Sequence, residues 1–85
     1  MDKKISNATM SRYPIYLKAL RKMQHEGKEN CLSSELSELT NIQDTTIRRD
    51  FTYLSKTDNF GQRGKGYDVK HLIDGLSEVL GLGLD

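Results

Sequence analysis

Tryptophan is absent, cysteine and proline occur once each, and charge of neither sign predominates, the formal net charge being +1. No apolar run approaches the roughly 20 residues needed to cross a bilayer. The start, MDKKISNATMSRY, has no apolar stretch of the kind a secretory signal needs, so the expected location is the cytoplasm. A single cysteine, Cys31, excludes an internal disulfide, which fits a reducing compartment. The two histidines, His25 and His71, stand alone and lack metal-ligand spacing, and no nucleophile–base pair, paired carboxylates or phosphate loop is present. These absences point away from an enzyme, a metal site and a membrane protein. At 85 residues the chain is long enough for one domain, with a net stability on the order of 5 kcal/mol.

What the chain does have is an uneven distribution of charge. Residues 1–22 hold six basic residues against Asp2 alone, and residues 45–70 hold six against three acids. The middle and the end are acidic, so one face can be positive although the whole is near neutral.

Four helical segments follow from apolar spacing. In the first, Tyr13, Tyr16, Leu17, Leu20 and Met23 form one stripe from about Ser11, a candidate cap, to Glu26, with Pro14 in its first turn and Gly27 as its stop. The two tyrosines belong either to the core or to a dimer surface. The second runs from Ser33 or Ser34 to Thr40–Asn41, with Glu35 in its first turn and Leu32, Leu36 and Leu39 inward. The third starts at Asp44 as N-cap and ends near Ser55. Ile47, Phe51 and Leu54 form its buried side, and Thr45, Arg49, Thr52 and Lys56 fall opposite, with Arg48 on one flank. The fourth starts near Asp68 and turns Val69, Leu72, Ile73, Leu76, Val79 and Leu80 inward, with Gly75 costing about 1 kcal/mol relative to alanine. Between the third and fourth, Gly61, Gly64 and Gly66 suit tight turns at positive φ, and Gln62–Val69 reads as a short basic ribbon.

A short helix, a turn of about four residues and a helix with outward arginines form a helix-turn-helix, and the glycine-rich ribbon behind it forms a wing. The expected fold is mainly α (α+β): a winged helix-turn-helix with a three-helix core, a β-hairpin wing and a C-terminal helix. It occupies residues 1–85 as one domain, with 1–10 as an arm and 81–85 as a linker end. The major groove of duplex DNA admits one helix. Arg49 points outward toward base edges, and Arg48 is placed for phosphate. Thr45, Thr46 and Thr52 offer hydroxyls, Lys56 adds charge, and Arg63 and Lys65 between glycines can approach the minor groove. Asp50 would repel phosphate and is expected to pair with a neighbouring arginine such as Arg12. Tyr53 and Tyr67 read first as packing beneath the wing, and Cys31 as a small buried apolar residue rather than a redox group. The string G-Q-R-G-K-G follows no apolar strand and is not a dinucleotide fingerprint.

The strings T-T-I-R-R-D-F-T-Y, Q-R-G-K-G-Y-D-V, S-R-Y-P-I-Y and S-S-E-L-S-E resemble the N-terminal domain of the Rex redox-sensing transcriptional repressors, from about Ile5 onward. The I-R-R-D string also occurs in DeoR-type regulators, and the segment from Arg63 to Tyr67 discriminates between the two. One departure stands out: Leu54, Ser55 and K-T-D-N-F lengthen the step to the wing. The resemblance implies repression through an A·T-rich inverted repeat, a homodimer in the full-length protein, and NADH or NAD bound only in a Rossmann domain that this chain does not contain. It also implies major-groove and phosphate contacts by Thr45, Thr46, Arg48 and Arg49, and wing contacts by Arg63 and Lys65. The alternatives are a DeoR-type regulator domain and a winged-helix module that binds protein.

Overall fold

The computed structural model describes residues 5–54, 61–62 and 66–81. Its elements are α1 (Asn7–His25), β1 (Asn30–Cys31), α2 (Ser33–Thr40), α3 (Asp44–Phe51), β2 (Gly61–Gln62), β3 (Gly66–Asp68) and α4 (Val69–Leu80). This is the expected winged helix-turn-helix with a fourth helix. The sequence-expected positions Lys56, Arg63 and Lys65, together with Gly64 and Ser55, lie outside the described residues.

Helix α1 begins one turn earlier than the apolar stripe suggests. Ser6 is its cap: the Ser6 hydroxyl accepts from the Thr9 N–H at 3.1 Å, so Asn7–Met10 are helix rather than arm, and Ser11 is interior. Pro14 consequently sits well inside the helix rather than in its first turn. Its ring nitrogen cannot donate to the carbonyl four residues back, a local loss that tertiary packing of α1 outweighs. Leu17, Leu20 and Met23 are buried, and Tyr13 and Tyr16 are core residues with no exposed surface. At the other end Gly27 is left-handed, and the N–H groups of Gly27 and Lys28 bond the carbonyls of Gln24 and Met23, both at 2.9 Å. That pattern is a Schellman stop.

Of the three leucines expected to face inward from α2, the structure buries one. Leu36 is fully buried, but Leu32 and Leu39 are 50% and 51% exposed. A two-turn helix packed on α1 and α3 has room for one fully covered leucine, and Leu32 precedes the first turn. The α2 entrance is closed by Glu35, whose carboxylate accepts from the Leu32 N–H at 2.8 Å. Asn41 takes a left-handed conformation at the other end (φ 64°) and turns the chain within three residues into α3. The Ser37 hydroxyl donates to the Ile42 carbonyl at 2.6 Å, and Ile42 packs on the core.

Gln43, not Asp44, is the residue before the first turn of α3; Asp44 is already helical. The helix ends at Phe51, and Thr52, Tyr53 and Leu54 continue as tighter turns bonded three residues back to Arg49, Asp50 and Phe51. Ile47, Phe51 and Leu54 form the buried side as their spacing requires.

The wing is part of a three-stranded antiparallel sheet in the order β1-β3-β2. Strand β1, two residues after the α1 stop, was not foreseen; it is too short to carry an alternating pattern. Cys31 pairs with Tyr67, Gly61 with Tyr67 and Gln62 with Gly66. Gly66 (φ +78°) lies so close to β1 that a Cβ there would stand 2.5 Å from the Cys31 carbonyl oxygen. Helix α4, capped by Asp68 accepting from the His71 N–H at 2.9 Å, lies along α1 and buries Val69, Leu72, Ile73 and Leu76.

Gly66→Ala should therefore cost more than about 2 kcal/mol, combining left-handed strain with a backbone clash. Gly27→Ala, at φ +87° with nothing within 4 Å of the new methyl, should cost about 1 kcal/mol. Thermal unfolding of the two variants checks this: Gly66→Ala should melt several degrees below Gly27→Ala, and equal midpoints would remove the role given to the β1–β3 contact.

Candidate nucleic-acid interface

The outer side of α3 can be presented only if its inner side is held. Side chains from α1 do this. They converge on Asp50, which is fully buried. Arg12 Nε and Nη2 donate to the two Asp50 carboxylate oxygens at 2.6 and 2.9 Å, a bidentate fork. The Tyr16 hydroxyl donates to Oδ2, and the Thr9 hydroxyl to Oδ1 at 3.2 Å. The Tyr13 hydroxyl donates to the Asp50 backbone carbonyl at 2.8 Å, satisfying an acceptor of the last turn. Ser6 donates in turn to the Thr9 oxygen at 3.1 Å. Among the described residues no buried side-chain polar atom lacks a partner. The Arg12–Asp50 pairing expected from the sequence is thus present, extended by Thr9, Tyr13 and Tyr16.

The ionisation of this cluster follows from its geometry. Burial alone would raise the Asp50 pKa; hydrogen bonds from Arg12, Tyr16 and Thr9 and the Arg12 charge outweigh it, and the carboxyl stays below its usual range. Arg12 is held cationic by Asp50. Burial, then the Asp50 charge, pushes Tyr13 up to about 12 and raises Tyr16 as well.

An aromatic series ties the wing to the same core. The rings of Tyr13 and Tyr16 lie 6.2 Å apart, Tyr16 and Phe51 5.2 Å, and Phe51 and Tyr67 5.2 Å, the last two edge to face. Tyr67, on β3, is half-buried and packs as expected beneath the wing. The base of the wing therefore rests on the back of α3.

On the outer side, Thr45, Arg48, Arg49 and Thr52 are exposed and Thr46 is half-buried. The structure brings these five together on one two-turn segment. The Thr52 hydroxyl donates to the Arg49 carbonyl at 2.6 Å and so has only its acceptor lone pairs to offer. Arg48 carries an ion pair that the sequence reading did not anticipate: its Nε lies 3.0 Å from Asp44 Oδ1. The four-residue spacing of Asp44 and Arg48 was the available signal. The large exposed apolar side chains among the described residues, Ile15, Leu32 and Leu39, belong to α1 and the start and end of α2, not to α3.

Burial, then Glu35, pushes the Cys31 thiol up to about 11, so it is protonated at neutral pH, as a packed apolar residue would be. Among the described residues no group of three or more His, Cys, Asp or Glu could hold a metal ion, and no helix is long and apolar enough to cross a membrane.

A family model described as "Putative DNA-binding protein N-terminus" matches residues 4–52, more than half of the chain and the whole of α1, α2 and α3. The Redox-sensing transcriptional repressor Rex of Lysinibacillus sphaericus is 43% identical over 77 residues, 91% of this chain and 35% of the relative. Rex 2 of Enterococcus faecalis is 40% identical over 80 residues, 94% of this chain and 36% of the relative. A crystal structure of RSP with β-NAD+ and operator DNA superposes with a TM-score of 0.79 at 33% identity, covering 95% of this chain and 36% of that one. A further structure of RSP, a Rex-family repressor, gives 0.71 at 31%. The chain spans about a third of the length of these relatives.

The Asp50 cluster sets two limits on stability. The folded pKa of Asp50 lies below its unfolded value of about 3.9, so its contribution is complete above that pH and disappears as the pH falls through the folded value. Tyr13, raised from 10.0 to about 12, contributes below pH 10, and that contribution is lost as the pH climbs toward 12. Arg12→Ala leaves the buried carboxylate without its cation and should cost about 3–5 kcal/mol. Denaturant titrations from pH 3 to pH 7 check this: Arg12→Ala should be far less stable at pH 7, with the gap narrowing in acid. A pH-independent gap would rule out the charge pairing as its cause.

Proposed function

The chain belongs to the Rex N-terminal DNA-binding domain family, and from that premise we propose that it reads duplex DNA for a redox-responsive transcriptional repressor. The observation that carries this reading is the two-sided α3: Ile47, Asp50 and Phe51 are enclosed while Thr45, Arg48 and Arg49 face outward. The major groove admits one helix, and the exposed side of α3 presents both of its arginines. A winged-helix module that binds protein would carry an apolar patch there, and the large exposed apolar residues lie elsewhere.

Arg49 is the base reader, its planar fork suited to a guanine edge. Arg48 binds phosphate on the flank, Thr45 and Thr46 supply hydroxyl contacts to backbone or bases, and Thr52, its proton given to the Arg49 carbonyl, accepts from a base donor. Lys56 adds a phosphate contact, and Arg63 and Lys65 on the wing enter the minor groove, where arginine responds to the narrow width of A·T-rich sequence. The site is an A·T-rich inverted repeat read by a homodimer of the full-length protein. One such domain covers one half-site, so alone it should bind with Kd in the micromolar range or weaker, and less tightly as salt rises. The protein acts as a regulator in the cytoplasm and not as an enzyme, and NADH or NAD binds a Rossmann domain outside these 85 residues.

Two substitutions test the assignment. Arg49→Ala should cost about 1–3 kcal/mol on a preferred duplex and relax the preference at one base pair. Equal affinity of wild type and variant for preferred and scrambled duplexes, measured by anisotropy, would refute the base-reading role. Arg63→Ala should weaken binding most where the flanks are A·T-rich; equal losses on G·C-rich flanks would remove the minor-groove contact.

A further inference from the structure

Helix α3 opens with a residue that a phosphate-facing helix has electrostatic reason to avoid. Asp44 is a carboxylate at the first position, only two-fifths exposed, on the same segment as Arg48 and Arg49. Opposite a phosphate backbone it is repulsive. Yet it is anchored from two sides through one oxygen. Ser33, the first residue of α2, donates its hydroxyl to Asp44 Oδ1 at 2.6 Å, and Arg48 Nε lies 3.0 Å from that same oxygen. Tyr67 on β3 feels both partners: burial raises its pKa, the Arg48 charge lowers it and the Asp44 charge raises it. The group thus sits where the start of α2, the start of α3 and the base of the wing meet.

We propose that Asp44 is a positioning residue: tethered by Ser33, it holds the Arg48 guanidinium by its Nε edge and so fixes where the free end of the fork meets the DNA backbone. This rests on the DNA-binding reading above. An exposed ion pair one helical turn apart adds little to stability, so its consequence lies in geometry. Arg48 ends in a long, flexible chain, and an unheld guanidinium must be ordered on binding. Phosphate contacts fix the register of a recognition helix, and base contacts then specify. A held Arg48 favours the one register in which Arg49 meets its base, whereas a loose Arg48 serves many registers equally. Asp44 therefore gives up general affinity, through repulsion, and gains discrimination.

The test uses the 85-residue chain, the duplex that it enriches from a randomised pool, and a scrambled duplex, at low salt. Asp44→Ala should bind the scrambled duplex more tightly than wild type, while the ratio of preferred to scrambled affinity falls about fivefold or more. Arg48→Ala should lower the ratio by itself, and adding Asp44→Ala to it should lower the ratio no further. Ser33→Ala, which leaves the charge in place and removes only the tether, should shift the ratio in the same direction and serves if Asp44→Ala fails to fold. An unchanged ratio in folded Asp44→Ala, or a full additional drop in the double variant, overturns the proposal. A wild-type chain with no preference for any duplex overturns the DNA-binding reading together with it.

Discussion

Asp50, the buried carboxylate of α3, fixes how that helix is turned against α1. On α1, Arg12, Tyr13, Tyr16 and Thr9 all reach to this one residue of α3. Burying a carboxylate is unfavourable unless every lone pair is used and a cation faces it. Both conditions are met here, and the requirement makes the arrangement selective: any rotation of α3 about its axis would separate Asp50 from its donors. The same rotation would turn Arg48 and Arg49 away from the surface they now share. The orientation of the outer face is thus decided by the chemistry of the inner one.

The aromatic series extends that constraint to the wing. The Phe51 ring makes T-shaped contacts with both Tyr16 and Tyr67, so α1, α3 and β3 share one aromatic cluster. Gly66, the residue before Tyr67, completes it, because only a residue without a side chain lets β3 lie against the Cys31 carbonyl. The helix proposed to enter one groove and the described base of the wing therefore share one packed support. That is the mechanical requirement for reading two grooves at a fixed separation.

Much of this could be read from residue spacing. Ile47, Phe51 and Leu54 define the buried side of α3, and a lone acid beside that stripe implies a cationic partner, which Arg12 supplies. The left-handed positions at Gly27 and Gly66 also follow from residue type. The misreadings have separable causes. The start of α1 was hidden because Ser6 and Ser11 are equivalent caps by composition, and only the position of Thr9 beside Asp50 decides between them. Leu32 and Leu39 fit an inward pattern, but α2 is too short to bury three leucines, a limit set by its neighbours rather than by its own period. Strand β1 exists through pairing with β3, from Asn30 to Asp68 and from Cys31 to Tyr67, and two residues cannot announce so distant a contact. The pairing of Asp44 with Ser33 is not legible in the sequence because it joins the starts of two helices across the α2–α3 turn.

Backbone amide chemical shifts followed by NMR during titration with a short A·T-rich duplex would test the central claim directly. The account predicts that the largest changes fall on Thr45, Thr46, Arg48 and Arg49 and on the wing, while Arg12, Tyr13 and Tyr16 behind them stay nearly still. Changes concentrated instead on the exposed basic residues Lys18, Arg21 and Lys22 of α1, with α3 silent, would show that DNA meets a different face and would contradict it.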